Sequence, residues 1–270
     1  MRKIISILVI LLIFSVAGIA QTDTSFSLLK KISGEITGFT ADHLDNIYLH
    51  YSSGQLKKLD AKGDSIAVFN NIRRYGMLSY MDVSNPLRVL LYYKDFSIVV
   101  VLDRLLSVRT SIDLRKNEIF QVQAIGLSYD NNIWLYDEVE SKLKKIDENG
   151  KLLYASTDFR QLFDEAYTFT SIFDQDGLLY LYDKNKGVLI FDYFGSFKSK
   201  IPLTGLNNFR VAGKNIYGTK NDSLIRYQPA GFMSQEIKLP AAFSQAVAIH
   251  FTTTRAYALK KDEWEVYQLR

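Results

Sequence analysis

One short pattern, repeated along the whole chain, limits the possible folds more than any other feature. An apolar or basic strand ends in Asp or Gln and then turns. It reads Leu56-Lys57-Lys58-Leu59-Asp60-Ala61-Lys62-Gly63, then Leu143-Lys144-Lys145-Ile146-Asp147-Glu148-Asn149-Gly150, then Val188-Leu189-Ile190-Phe191-Asp192-Tyr193-Phe194-Gly195. Val99 to Asp103 is a copy with Leu106 in place of the glycine, Leu224 to Gly231 is a fifth, and Trp264 to Gln268 is a sixth, shortened copy. Successive copies lie 43, 44, 45, 36 and 40 residues apart. A second landmark precedes each: a strand centred on an aromatic residue, at Tyr48, Tyr92, Trp134, Tyr180, Tyr217 and Tyr257. Asp45-Asn46, Asn131-Asn132, Asp176-Gly177 and Lys214-Asn215 stand just before four of these, and such pairs tolerate the positive φ of a tight hairpin.

Each unit therefore holds four strands; the first reads Ile36 to Ala41, Asn46 to Tyr51, Gln55 to Asp60 and Asp64 to Phe69. Four antiparallel strands repeated every ~40–45 residues are the signature of propeller blades. One blade cannot bury both of its faces; radial stacking does so, which explains apolar runs that do not alternate cleanly with polar residues. The fold expected is an all-β six-bladed β-propeller, with blades at about 36–71, 78–116, 122–161, 169–205, 209–241 and 245–270. The sixth repeat stops after its third strand, and an unassigned strand, Phe26 to Ile32, precedes the first. That strand is expected to complete blade six and close the ring, leaving no open edge.

The first twenty residues have the form of an export signal. Arg2-Lys3 precedes an aliphatic run from Ile4 to Val16, and Gly18-Ile19-Ala20 places small residues before a cut at Gln21. The expected organisation is a signal peptide at 1–20 and one propeller domain at 21–270, with no membrane span after cleavage. No cysteine occurs in the 270 residues, which excludes disulfides, a thiolate metal site, a cysteine nucleophile and a lipoprotein anchor. The final strand runs to the last residue and leaves no length for a C-terminal sorting domain, so the address expected is periplasmic, with extracellular or outer-membrane association as the alternative. A net charge of +4 spread along the chain lacks the basic stripe of a nucleic-acid binder.

Ala41-Asp42-His43-Leu44-Asp45-Asn46-Ile47-Tyr48-Leu49, followed by Leu59 to Gly63, resembles an NHL-type propeller repeat, as does Leu127 to Leu135 followed by Ile146 to Gly150. The whole resembles the exported six-bladed NHL/TolB-like propellers common in Bacteroidetes. The resemblance implies the fold; that group includes binding platforms and unrelated enzymes alike.

Chemical motifs are few. His43, His50 and His250 have no metal-ligand spacing, and the predicted inner strands are mostly apolar or hydroxylic. Asp82 and Asp174 recur at the outgoing ends of inner strands, where capping of a turn is the expected role. No Gly-x-Ser-x-Gly elbow and no phosphate-cradling glycine loop occurs. The blade-connecting segments carry Arg73, Arg74 and Tyr75, then Arg115 with Phe120, then Phe159, Arg160 and Phe163, and finally Arg210. Arginine beside aromatics is the composition of a binding hot spot. The longest connector, Ala155 to Thr168, places Phe159, Leu162 and Phe163 at helical spacing, as a plug for the channel mouth or a recognition element. The function expected is a non-enzymatic, monomeric scaffold without cofactor or metal, which binds an envelope or periplasmic protein through these nine residues. The alternative is a metal-dependent, lactonase-like hydrolase using the channel.

Overall fold

The computed structural model describes residues 26–243, 245–252, 254–261 and 263–269. The leader expected at 1–20 lies outside the described residues. Six four-stranded antiparallel sheets form the ring of a six-bladed β-propeller. Blade 1 is β2 (Ile36–Ala41), β3 (Ile47–Tyr51), β4 (Gln55–Leu59) and β5 (Ser65–Asn70). Blade 2 is β6 (Tyr80–Asn85), β7 (Arg88–Tyr93), β8 (Ile98–Asp103) and β9 (Val108–Asp113). Blade 3 is β10 (Val122–Leu127), β11 (Ile133–Asp137), β12 (Lys142–Ile146) and β13 (Leu152–Ala155). Blade 4 is β14 (Phe169–Gln175), β15 (Leu178–Asp183), β16 (Gly187–Asp192) and β17 (Phe197–Ile201). Blade 5 is β18 (Asn207–Ala212), β19 (Asn215–Lys220), β20 (Ser223–Gln228) and β21 (Met233–Lys238). Blade 6 is β22 (Ala248–Phe251), β23 (Arg255–Leu259) and β24 (Glu263–Leu269), and β1 (Phe26–Ser33) supplies its outer strand by pairing antiparallel with β24. The ring is thus closed by the N-terminal strand.

The repeated Asp has a local physical cause. In four blades its Oδ1 accepts two backbone amides, two and four residues on: Lys62 and Asp64 on Asp60, Leu105 and Ser107 on Asp103, Asn149 and Lys151 on Asp147, Phe194 and Ser196 on Asp192. The carboxylate thereby satisfies amides that the hairpin leaves without sheet partners. The position two before the strand resumes has positive φ, supplied by Gly63, Gly150 and Gly195 and, in blade 2, by Leu106 at φ 61°. The two sequence landmarks are cross-strand neighbours: Tyr48 pairs with Lys58 and Trp134 with Lys145. Each lysine lays its stem along the sheet and sets its ammonium over the ring, 5.1 Å from Tyr48 and 4.9 Å from Trp134.

Blade faces meet in apolar clusters, and successive residues of one strand serve different neighbours. Leu90 and Tyr92 of β7 pack toward blade 3, whereas Val89, Leu91 and Tyr93 pack toward blade 1. This is why all six residues of Arg88–Tyr93 are buried despite the period-2 geometry of a strand. The connectors help to fill the seams. Tyr75, at the end of helix α1 (Ile72–Tyr75), enters the seam between blades 1 and 2. Leu114 and Ile119 enter the next seam, and Leu206 the one between blades 4 and 5. The seam between blades 5 and 6 is different. Its cluster comprises Phe243, Ile249, Ala256, Ala258 and Tyr267, with no side chain from β18–β21 among the described residues.

The long connector does not plug the channel. Its helix α2 (Phe159–Phe163) starts at Asp158, whose side chain accepts the Arg160 amide. Phe159 is fully buried between blades 3 and 4, stacked on Phe191 at 5.4 Å and edge-on to Phe169 at 5.9 Å. Helical spacing correctly gave the turn of helix; its apolar face had a nearer crevice to fill than the channel mouth. Phe159→Ala is expected to cost about 3–5 kcal/mol of unfolding free energy, and Phe120→Ala, at an exposed position, less than about 0.5 kcal/mol. Urea denaturation of both variants checks this.

Candidate functional site

The inner strands enclose a channel that widens into two cavities of about 410 and 430 Å³. The first lies where inner strands begin, on the face of the blade connectors; the second lies where they end. Tyr80, Met81, Phe173, Arg210 and His250 border both and form the waist. Blade 3 contributes no lining residue to either cavity. At Gly126 of β10 a Cβ would stand 2.7 Å from the Ile172 carbonyl oxygen, so the bare glycine lets β10 pack directly against β14. Ile125, Gly126 and Leu127 thus lie on the inner strand of blade 3 but are buried and line neither cavity.

At the waist Arg210 projects from β18, just after a break in register between Asn207 and Arg210. Such bulges re-aim side chains at the rims of sheets. Its Nη2 donates to Thr40 Oγ1 at 2.6 Å, and it makes no ion pair among the described residues. The surface it exposes faces the channel, and this enclosure pulls its pKa down, against the pull of Tyr80 and Asp82 in the other direction. His250 is 6% exposed, stands edge-on to Tyr257 at 5.7 Å, and is held well below the usual histidine range by burial and by the Arg210 charge. Burial also raises the Tyr80 phenol and lowers His50. His50 meets Thr37 Oγ1 through Nδ1 at 3.0 Å, while its buried Nε2 has no partner.

The carboxylates at the far cavity accept from neighbouring donors, though Asp174 Oδ1 is buried without a partner among the described residues. Asp82 accepts the Ser84 and Leu127 amides, both at 2.8 Å. Asp174 accepts from Ser128 Oγ, the Tyr129 amide and Trp134 Nε1. Asp42 accepts the Leu44 and Asn46 amides and the Tyr48 hydroxyl. Asp82 caps its own turn through Ser84, as expected, and reaches blade 3 through Leu127, whereas Asp174 caps no amide of its own turn and ties blade 4 to blade 3 instead. Among the described residues no three His, Asp or Glu side chains converge as a metal site would require.

The nine residues proposed from sequence divide into four groups. Arg73 and Arg74 are exposed on the connector between blades 1 and 2. Tyr75 is buried 5.3 Å from Tyr93, with the Arg74 guanidinium 5.2 Å over its ring, so it is core and not contact surface. Arg115 and Phe120 are exposed on the next connector. Phe159 is core, Phe163 half-buried against the same cluster, and Arg160 exposed but paired with Asp158 at 2.6 Å. Arg210 belongs to the channel and not to the rim.

Blade 2 joins the first and second of these groups. Phe96, 50% exposed in its β7–β8 turn, lies over Gly76, where a Cβ would meet its ring at 2.7 Å. Arg115 Nη2 donates to the neighbouring Asp95 carbonyl at 3.0 Å. Arg73, Arg74, Phe96 and Arg115 thus form one crescent, with the exposed Met77 leading from it to the channel mouth. Phe96 and Met77 were not singled out from sequence; a lone exposed apolar residue in a short turn carries no signal there.

No protein-family model and no curated protein matches the chain. Similarity is to solved propellers. Virginiamycin B lyase from Staphylococcus aureus superposes with a TM-score of 0.64 at 12% identity, covering 91% of this chain and 100% of that one. BamB from Moraxella catarrhalis gives 0.56 at 11%, covering 91% and 98%. PorZ, a surface component of the type-IX secretion system of Porphyromonas gingivalis, gives 0.56 at 11%, covering 87% of this chain and 32% of that one. At such identities the likeness is one of fold.

The channel histidines carry a stability consequence. Both are depressed in the fold, so the unfolded chain binds protons first as pH falls. Their contribution is complete above the unfolded pKa of ~6.5 and is lost as pH drops below it. The melting temperature is expected to fall between pH 7.5 and 5.5, and to fall less in His250→Phe; calorimetry across that range checks the difference.

Proposed function

We propose that the protein is a non-enzymatic binding propeller that offers the crescent over blade 2 to a protein partner in the cell envelope. The observation that carries this is an exposed basic and aromatic surface whose cations make no ion pair among the described residues. Arg73, Arg74, Arg115 and Lys116 make no ion pair among the described residues, and they flank exposed Phe96 and lie near Met77. Desolvated arginine and aromatic side chains dominate interface energetics, and cations left unpaired in the free protein favour an acidic partner surface. An acidic protein segment is therefore the partner class this surface fits.

An envelope setting is supported by the form of residues 1–20, a basic start, an aliphatic run and small residues before Gln21. It is also in keeping with the fold shared with PorZ, described as a bacterial surface component. Within that setting the periplasm is the proposed location, with outer-membrane or extracellular association as the alternative. The metal-dependent hydrolase alternative finds no ligand set among the described residues.

Arg73→Ala combined with Arg74→Ala is expected to weaken partner capture about tenfold or more while leaving the melting temperature within about 2 °C. A photo-crosslinker placed at Phe96 should capture the same partner, and one at Phe194, on the opposite face, should not. Equal capture at both positions, or a large loss of melting temperature in the double variant, would remove the crescent as the binding surface.

A further inference from the structure

The rim does not use the channel waist, and there the protein holds a cation without an anion. A guanidinium has five N–H donors. Arg210 spends one of its contacts on Thr40 and makes no ion pair among the described residues. The one carboxylate acting on it, Asp82, is turned away to the Ser84 and Leu127 amides. An enclosed charge without a partner is costly, so such an arrangement is retained where a ligand supplies the partner.

The surroundings narrow the ligand's chemistry. The cavity on the connector side, about 410 Å³, contains no carboxylate in its lining. The same lining holds Tyr80, Ser171 and the neutral His250 ring, none of whose side chains has a hydrogen-bond partner among the described residues. His50 adds a buried Nε2 that is also unpartnered. Phe173 and Phe209 provide apolar wall between these groups. A single guanidinium matches one carboxylate in bidentate geometry. The scattered hydroxyl and imidazole groups match hydroxyls on the ligand's body, and the volume is that of a small-molecule site.

We propose that the channel waist binds a small hydroxylated carboxylate, such as a sugar acid or hydroxy acid, with its carboxylate on Arg210 and its hydroxyls toward Tyr80, Ser171 and His250. This site is separate from the crescent and does not depend on it. Isothermal titration of the purified protein with D-glucuronate, D-gluconate and L-lactate tests it, with D-glucose and inorganic phosphate as controls. At least one of the three acids should bind with a stoichiometry of one, and glucose should bind about tenfold more weakly or not at all. Arg210→Gln should reduce acid binding about tenfold or more, the scale of a lost charge-assisted hydrogen bond. Tyr80→Phe and Ser171→Ala, which leave the guanidinium in place, should each weaken it by a few-fold, so the test stands even if Arg210→Gln folds poorly. Arg73→Ala with Arg74→Ala should leave it unchanged, which separates this site from the rim. Silence from all three acids, full binding by folded Arg210→Gln, or binding of phosphate alone would overturn the proposal.

Discussion

Everything in this molecule rests on ring closure by one strand from the far end of the chain. A blade has two apolar faces, and neither is buried until a neighbour stands on each side. Seven paired residues between Phe26–Ser33 and Glu263–Leu269 complete the last sheet. They hold Ile32 and Trp264 in the same cluster as Ile47 and Leu49 of blade 1. Local turn chemistry builds each blade; this long-range pairing turns six blades into a closed object with a channel, and so it also fixes the geometry at Arg210, far from either terminus.

The fold was legible because its determinants are local and repeated. The Asp that caps each hairpin, the glycine with positive φ and the aromatic facing a lysine recur at blade spacing, and each has a local cause. The site was only partly legible. Of the residues that arginine beside aromatics points to, Arg73, Arg74 and Arg115 are exposed on the connectors. The same composition misled at Tyr75 and Phe159, because a connector crossing a seam between apolar blades puts its largest side chains into the seam. Sequence shows which residues sit on a connector; which way a ring turns depends on the crevice beneath it.

Arg210 shows the converse. By composition it belongs with the rim arginines, beside Phe209. Its different setting arises from its place on the inner strand β18, past a register break that recurs in blades 1, 3 and 4, and from Gly126, beside which blade 3 drops out of the lining. Neither effect has a signature in the residue itself. Both follow from how backbones approach one another across the ring.

The seam between blades 5 and 6 stands apart from the other five. Where they interlock side chains from two sheets, this one sets small Ala256 and Ala258 of blade 6 beside a connector. A closed ring under strain yields where adhesion between segments is least. This propeller therefore has a built-in parting line. Opening of the ring is expected to begin there, with blade 6 and its N-terminal strand staying packed on blade 1 through Tyr257, Leu259 and Trp264.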